Sequence, residues 1–220
     1  ALAPRERRAD TASTDTNEWP KARRDRSAAQ LGAVLPKDAI AVPFHLAGDG
    51  KVLVSAQVCE ANGGHCTQAL TLILDTGATK SVLFEESLEI KSKTYRSWPS
   101  MQGISAPTLF GVADAFIARV PRFELAALKN RVRWNGLDAA VLRSELRPML
   151  SRLVGKPVDG LLGYSFLKHF RMVLDYPNQM LWLRPQPRGW DDRPFEYSQV
   201  GVQIERRAGR ATIVAVVQGS

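Results

Sequence analysis

The most constraining feature of the sequence is a continuous apolar segment that stops at an acidic residue. Residues 69–74 read Ala-Leu-Thr-Leu-Ile-Leu, and the next four are Asp75, Thr76, Gly77 and Ala78. A short apolar run of this kind predicts a β-strand that is buried on both faces. Gly77 allows a tight turn and leaves room for another molecule to approach the backbone. The sequence therefore predicts a carboxylate at the edge of a hydrophobic core.

The segment D-T-G-A alone is compatible with two roles for Asp75. The residue could merely stabilise a turn, since Asp side chains readily accept hydrogen bonds from the backbone two residues further on. It could also be a catalytic acid. The choice between these roles depends on a second segment further along the chain.

That second segment consists of four short motifs, which follow one another along the chain. It contains D-G-L-L-G at 159–163, F-L at 166–167, V-L-D-Y at 173–176 and L-W-L at 181–183. Together with the D-T-G-A segment, this order resembles the retropepsin-like aspartic peptidases in their bacterial single-domain form. The resemblance spans residues 40–185 and is loose between residues 85 and 157.

The resemblance implies a fold and a set of roles for the D-T-G-A segment. The expected fold is mainly β, a retropepsin-like acid protease barrel with one or two short helices. Asp75 would be the catalytic acid, and Thr76 would grip the equivalent loop of a partner chain. Gly77 and Ala78 would complete the active-site loop beneath the substrate backbone.

Four further residues receive roles from the same resemblance. Leu161, Leu162 and Gly163 would form the element that threads behind the Asp75 turn and supports it. Gly103 would lie in the flap that closes over the peptide, a placement based on position alone.

A count of carboxylates predicts a dimer. Peptide hydrolysis by this route needs two aspartates that share one proton, but the chain contains a single D-T-G. Asp159 and Asp175 belong to other parts of the pattern, and Asp175 is expected to form a turn before Tyr176-Pro177. A twofold homodimer would bring two copies of Asp75 together.

We expect an endopeptidase acting on peptides or proteins, without metal or cofactor. The alternative is a peptide-binding module that does not cut.

Other catalytic signatures are incomplete in this sequence. The segment G-Y-S-F-L at 163–167 lacks the last glycine of the G-x-S-x-G nucleophile elbow. The three histidines do not form an H-E-x-x-H zinc motif.

The two cysteines, Cys59 and Cys66, flank a turn signal. Asn62-Gly63-Gly64 lies between them and favours a hairpin, because Asn and Gly accept positive φ. A hairpin brings such residues to the separation that a disulfide requires. We prefer a disulfide over two free thiols or a metal site. A disulfide indicates an oxidising compartment, so a periplasmic or secreted bacterial protein is expected.

The charge and hydropathy of the chain limit its partners. The formal net charge is +8, but the basic residues are scattered, so nucleic acid is not an expected partner. No apolar run reaches the roughly 18 residues that a membrane span needs.

Composition divides the chain into three predicted regions. Residues 1–33 are polar and charged and are expected to be a disordered leader, whose first residues, Ala1-Leu2-Ala3, are similar to the end of a secretory signal. Residues 34–190 would be the peptidase domain. Residues 191–220 would form a hairpin that resembles the start of a PDZ domain; the alternative is an extra hairpin on the peptidase sheet. Leucine spacing predicts a helix over 138–154, which Pro148 would kink or split into two.

Overall fold

The computed structural model describes residues 38–48, 50–108, 111–143, 145–187, 202–207 and 210–218. The predicted leader, residues 1–33, lies outside the described residues, as does the segment 188–201. None of the helices in the described ranges has the length and apolar character that crossing a bilayer requires.

The described residues are mostly strands, with short helices between some of them. The strands are β1 (Ile40–Pro43), β2 (His45–Leu46), β3 (Val52–Cys59), β4 (Leu70–Leu74), β5 (Ser81–Phe84), β6 (Ser100–Thr108), β7 (Gly111–Ala126), β8 (Arg131–Arg143), β9 (Gly160–Leu162), β10 (Phe170–Asp175), β11 (Met180–Pro185), β12 (Val202–Arg207) and β13 (Arg210–Gln218). The helices are α1 (Glu85–Lys91), α2 (Leu146–Val154) and α3 (Tyr164–Leu167), with a 3-10 turn at Tyr95–Ser97.

Six of the strands close into a barrel. Along the main sheet, β7, β8, β5, β9, β4 and β3 are hydrogen-bonded in that order, and β3 also pairs with β7. β4 and β9 run parallel, whereas β9 and β5 run antiparallel. The predicted mainly β barrel with a few short helices is therefore confirmed.

Strand β4 is buried on both of its faces, as its continuous apolar sequence predicts. Leu70 and Leu72 belong to one core cluster, together with Phe123 of β7 and Phe166 of α3. Ile73 belongs to a second cluster, which includes side chains of α2. The end of this strand is consequently held from two sides.

The helix predicted over residues 138–154 is wrong in its first part. Residues up to Arg143 belong to β8, and the helix covers only Leu146–Val154. Pro148 lies in the first turn of α2, where its missing N–H has no intrahelical partner to lose, so a kink is not required. Gly155 ends the helix with a φ of 74°, as expected of a C-terminal glycine.

Two smaller hairpins are not part of the six-stranded barrel. β10 and β11 pair with each other, and β11 also pairs with β1 in a three-stranded sheet. β12 and β13 form a second hairpin, and β13 pairs with β6 at Met101 and Ser100. The second hairpin thus extends the main sheet; its resemblance to the start of a PDZ domain stays a prediction.

The predicted link between Cys59 and Cys66 is present as a disulfide bond. The two residues also form an isolated antiparallel bridge, so the bond closes a short hairpin at the end of β3. Gly63 in this hairpin has a φ of 74°, the positive value that its turn sequence predicts.

Candidate active site

Asp75 is the first residue after β4, and hydrogen bonds fix both its backbone and its side chain. Its N–H donates to the carbonyl oxygen of Leu162 at 3.0 Å. Its Oδ1 accepts a hydrogen bond from the N–H of Gly77 at 2.9 Å. The carboxyl residue is half-buried, whereas Thr76 and Gly77 are exposed. The turn therefore presents the acid and two exposed residues at the end of a buried strand.

The glycine of this turn keeps the carboxylate uncrowded. A Cβ atom at position 77 would lie 3.3 Å from Oδ1 of Asp75, which is tighter than an ordinary van der Waals contact. The peptide of Ala78 then closes the turn, because its N–H donates to the carbonyl oxygen of Asp75 at 3.4 Å. The sequence D-T-G-A thus folds into a compact loop around its own acid.

Strand β9 supports this loop by lying between β4 and β5. Leu161 and Leu162 face Ile73 and Leu74 of β4 in parallel register. Gly163 follows, and the N–H of Tyr164 donates to the carbonyl oxygen of Ala78 at 2.8 Å. The loop is therefore bonded on one side to the D-G-L-L-G segment and on the other to the residue that follows it.

Two glycines of that segment allow the close approach. A Cβ atom at Gly160 would collide with the carbonyl oxygen of Val82, and one at Gly163 would collide with that of Lys80. Backbone oxygens cannot move aside as the ends of side chains can. The spacing of the glycines is thus required by the threading of β9 beside β5.

A match to the family described as Aspartyl protease covers residues 54–166, more than half of the chain. The matched region includes the Asp75 loop and β9. The chain belongs to the aspartyl protease family. Among curated proteins, no relative of this family member was found.

Two solved structures are similar to this aspartyl protease family member. The crystal structure of a retropepsin-like aspartic protease from Rickettsia conorii is 17% identical, with a TM-score of 0.39, and the alignment covers 66% of this chain and 89% of the other. The retroviral protease-like domain of Ddi1 from Leishmania major is 15% identical, with a TM-score of 0.37, and the alignment covers 62% and 94%.

Two buried serines beside the Asp75 loop were not predicted from the sequence. Ser81 and Ser165 are each 2% exposed, and their hydroxyl oxygens lie 3.2 Å apart. The N–H of Gly163 donates to Oγ of Ser81 at 3.2 Å. The available signal was a single small polar residue within each of two otherwise apolar segments, S-V-L-F and S-F-L.

Gly103 lies within one strand of the β6–β7 hairpin. It lies in β6, is exposed, and has a φ of 73° at a break in register between Met101 and Ile104. Residues 109–110, between β6 and β7, lie outside the described residues. The assignment of Gly103 to a flap stays a prediction.

The other two acids of the pattern have structural partners. Asp175 accepts hydrogen bonds from the backbone N–H and from Nδ2 of Asn178, at 3.2 and 2.6 Å, and so stabilises the β10–β11 turn as predicted. Asp159 is buried beside β4, where its Oδ2 accepts a hydrogen bond from the N–H of Thr71 at 2.8 Å. Neither carboxylate is placed in the loop of Asp75.

One cavity of about 510 Å³ lies between the β6–β7 hairpin and helix α2. Asp114, Arg143, Leu146, Met149 and Arg152 are among the residues that line it. None of the predicted site residues is part of its wall. The Asp75 loop is therefore a separate feature of the surface.

Proposed function

We propose that this chain is an aspartic endopeptidase in which Asp75 is the catalytic acid. The observation that carries the proposal is the position of Asp75 within the loop that β9 supports. A half-buried carboxylate lies between the exposed Thr76 and the end of a buried strand, with Leu162 bonded to its backbone. The family match over the same residues supports this chemistry.

The proposed reaction needs a second carboxylate, which a second copy of the chain would supply. Two aspartates that lie close together cannot both ionise, so the pair shares one proton and titrates as a unit. The ionised carboxylate takes a proton from water while the water oxygen attacks the peptide carbonyl carbon. The protonated carboxyl donates its proton to the carbonyl oxygen. The first carboxyl then gives the proton that it took from water to the amide nitrogen, and the C–N bond breaks. A hydroxyl of the tetrahedral intermediate returns its proton to the second carboxylate, which restores the starting pair.

A homodimer is the proposed active form because each chain contributes one D-T-G segment. Thr76 is exposed at the loop, where its hydroxyl would contact the equivalent loop of the second copy. The expected substrate is an extended peptide or an unfolded protein. The disulfide between Cys59 and Cys66 favours an oxidising compartment, so we propose a periplasmic or secreted location.

The proposal is tested by cleavage of an unfolded polypeptide at a series of chain concentrations. Activity per chain should rise with concentration until the dimer saturates, and sedimentation should show the dimer over the same range. Asp75→Asn should remove cleavage. The matched control is Asp38→Asn, the same chemical change at an exposed residue whose partner is Arg184.

Three outcomes would count against the proposal. Cleavage that survives in Asp75→Asn would exclude the mechanism. Activity per chain that does not depend on concentration, with a monomer in sedimentation, would exclude the shared carboxylate pair. Binding of peptides without cleavage at any pH would favour the alternative, a peptide-binding module with the same fold.

A further inference from the structure

The peptide group between Leu162 and Gly163 is bonded on both sides. Its carbonyl oxygen accepts the N–H of Asp75 at 3.0 Å. Its N–H donates to Oγ of Ser81 at 3.2 Å. Since a peptide group is planar and rigid, a rotation that broke the bond to Ser81 would also move the carbonyl oxygen away from Asp75. The position of Asp75 is therefore coupled to the Ser81 hydroxyl through one rigid unit.

Ser165 fixes the Ser81 side chain in this position. Its Oγ donates to Oγ of Ser81 at 3.2 Å and accepts the N–H of Ser81 at 2.8 Å. Ser165 lies in α3, immediately after the Gly163–Tyr164 segment that contacts the Asp75 loop. The two serines thus join the start of β5, the end of β9 and the start of α3 by hydrogen bonds.

Because both serines are buried, the loss of one of their hydrogen bonds should be costly. Both serines are 2% exposed, so water cannot readily replace a lost hydroxyl partner. A buried N–H that loses its acceptor is costly to leave unpaired. Without the Ser81 hydroxyl, the Leu162–Gly163 peptide would gain by rotating toward another acceptor.

We propose that Ser81 and Ser165 are positioning residues, which orient the Leu162–Gly163 peptide and thereby set the place of the Asp75 carboxylate. The proposal rests on the proposed function insofar as it concerns catalysis. Its structural part, the coupling of the serine hydroxyls to the Asp75 backbone, can be measured without any activity.

The first measurement is amide hydrogen exchange in the full chain. In Ser81→Ala and Ser165→Ala, exchange of the Asp75 amide should become about tenfold faster, relative to the Leu183 amide in the separate three-stranded sheet. Ser87→Ala is the matched control. Ser87 is 1% exposed, and its Oγ accepts a hydrogen bond from Nε of Arg147, away from the Asp75 loop. It should leave the Asp75 amide unchanged relative to Leu183.

The second measurement is cleavage by the same variants. Both serine variants should lower kcat by about 10- to 100-fold with KM changed by no more than about twofold, because misplacement of a reacting group weakens the chemical step. The double variant should lose less than the product of the two single losses, since both act on one peptide group.

The outcomes separate the inference from the proposed function. If the wild-type chain does not cleave, the proposed function fails, and amide exchange alone decides the inference. Equal acceleration at Asp75 and Leu183, or none at Asp75, would overturn the inference even in an active enzyme. If Ser81→Ala does not fold, Ser165→Ala decides the test, because it keeps the Ser81 hydroxyl and removes only the side chain that fixes it.

Discussion

Nζ of Lys91 lies 2.7 Å from Oδ2 of Asp159 and thereby joins the end of α1 to the start of β9. The Asp159 side chain is 1% exposed and that of Lys91 is 20% exposed. The same ammonium group donates to the carbonyl oxygen of Ala69, at 3.0 Å. Because Asp159 immediately precedes β9, this ion pair holds the strand that supports the Asp75 loop.

Removal of the Lys91 ammonium group should destabilise the chain more than removal of the exposed guanidinium group of Arg184. Lys91→Met leaves the Asp159 carboxylate buried without its counter-charge, and such changes cost about 3 kcal/mol or more. The free energy of unfolding, measured by urea denaturation at neutral pH, should fall by that amount. Arg184→Met is the control, because its pair with Asp38 is exposed on both sides and should be worth less than about 1 kcal/mol. Equal losses in the two variants would contradict this account of the buried pair.

Glycine at position 160 should contribute to stability rather than to chemistry. In Gly160→Ala the added Cβ would collide with the carbonyl oxygen of Val82, so the β5–β9 pairing must shift, at a cost of about 1–3 kcal/mol or more. Gly48→Ala is the matched control, since its added Cβ meets no atom of the described residues within 4 Å, its chain neighbours aside. Thermal unfolding should show a clear loss for the first variant and almost none for the second. A wild-type-like midpoint for Gly160→Ala would show that β5 and β9 have room for a methyl group between them.

The turn that carries Asp75 could be predicted from local signals, whereas the supporting role of Leu161, Leu162 and Gly163 was implied by the family resemblance. An apolar run that ends in D-T-G specifies a buried strand and a turn. The Cys59–Cys66 disulfide was predicted from its turn residues in the same way. These features require only short-range chemistry.

The serine pair and the Lys91–Asp159 pair could not be predicted, because each joins residues that are distant in sequence. Ser81 contacts Ser165 only after β9 has threaded between β4 and β5, and a sequence pattern does not give that register. The error at residues 138–143 has a different cause. A short apolar run such as Ala-Ala-Val-Leu is compatible with a strand and with a helix. In this chain it forms a strand, because it pairs with β5 and β7.

The disulfide should stabilise the chain without determining its fold. Cys59 and Cys66 close a short loop, and chain-entropy arguments give such a bond about 2 kcal/mol. The double variant Cys59→Ala/Cys66→Ala should unfold at a lower temperature but keep its β-rich circular dichroism spectrum, because β3 remains paired with β4 and β7. A reducing agent should lower the wild-type midpoint to that of the variant and leave the variant unaffected. Loss of the folded spectrum in the variant would show that the hairpin determines the fold.

Tyr95 should make stability depend on alkaline pH. Its hydroxyl donates to Oε1 of Glu85 at 3.2 Å, and its side chain is buried. Burial, followed by the charge of Glu85, raises the pKa of Tyr95 from 10.0 to about 12. A pKa that is higher in the folded state means that folding favours the neutral phenol. Its contribution to stability is therefore complete below about pH 10 and declines as the pH rises toward 12.

The difference between the wild type and Tyr95→Phe isolates this contribution from other titrating groups. The wild type should be more stable than the variant at pH 7–9, by about 1 kcal/mol for the lost hydrogen bond. That advantage should shrink above about pH 10, because phenylalanine has no proton to lose. An advantage of Tyr95 that is unchanged at pH 11 would mean that its phenol ionises as easily in the folded chain as in the unfolded one, and the Tyr95–Glu85 contact would then carry no pH dependence.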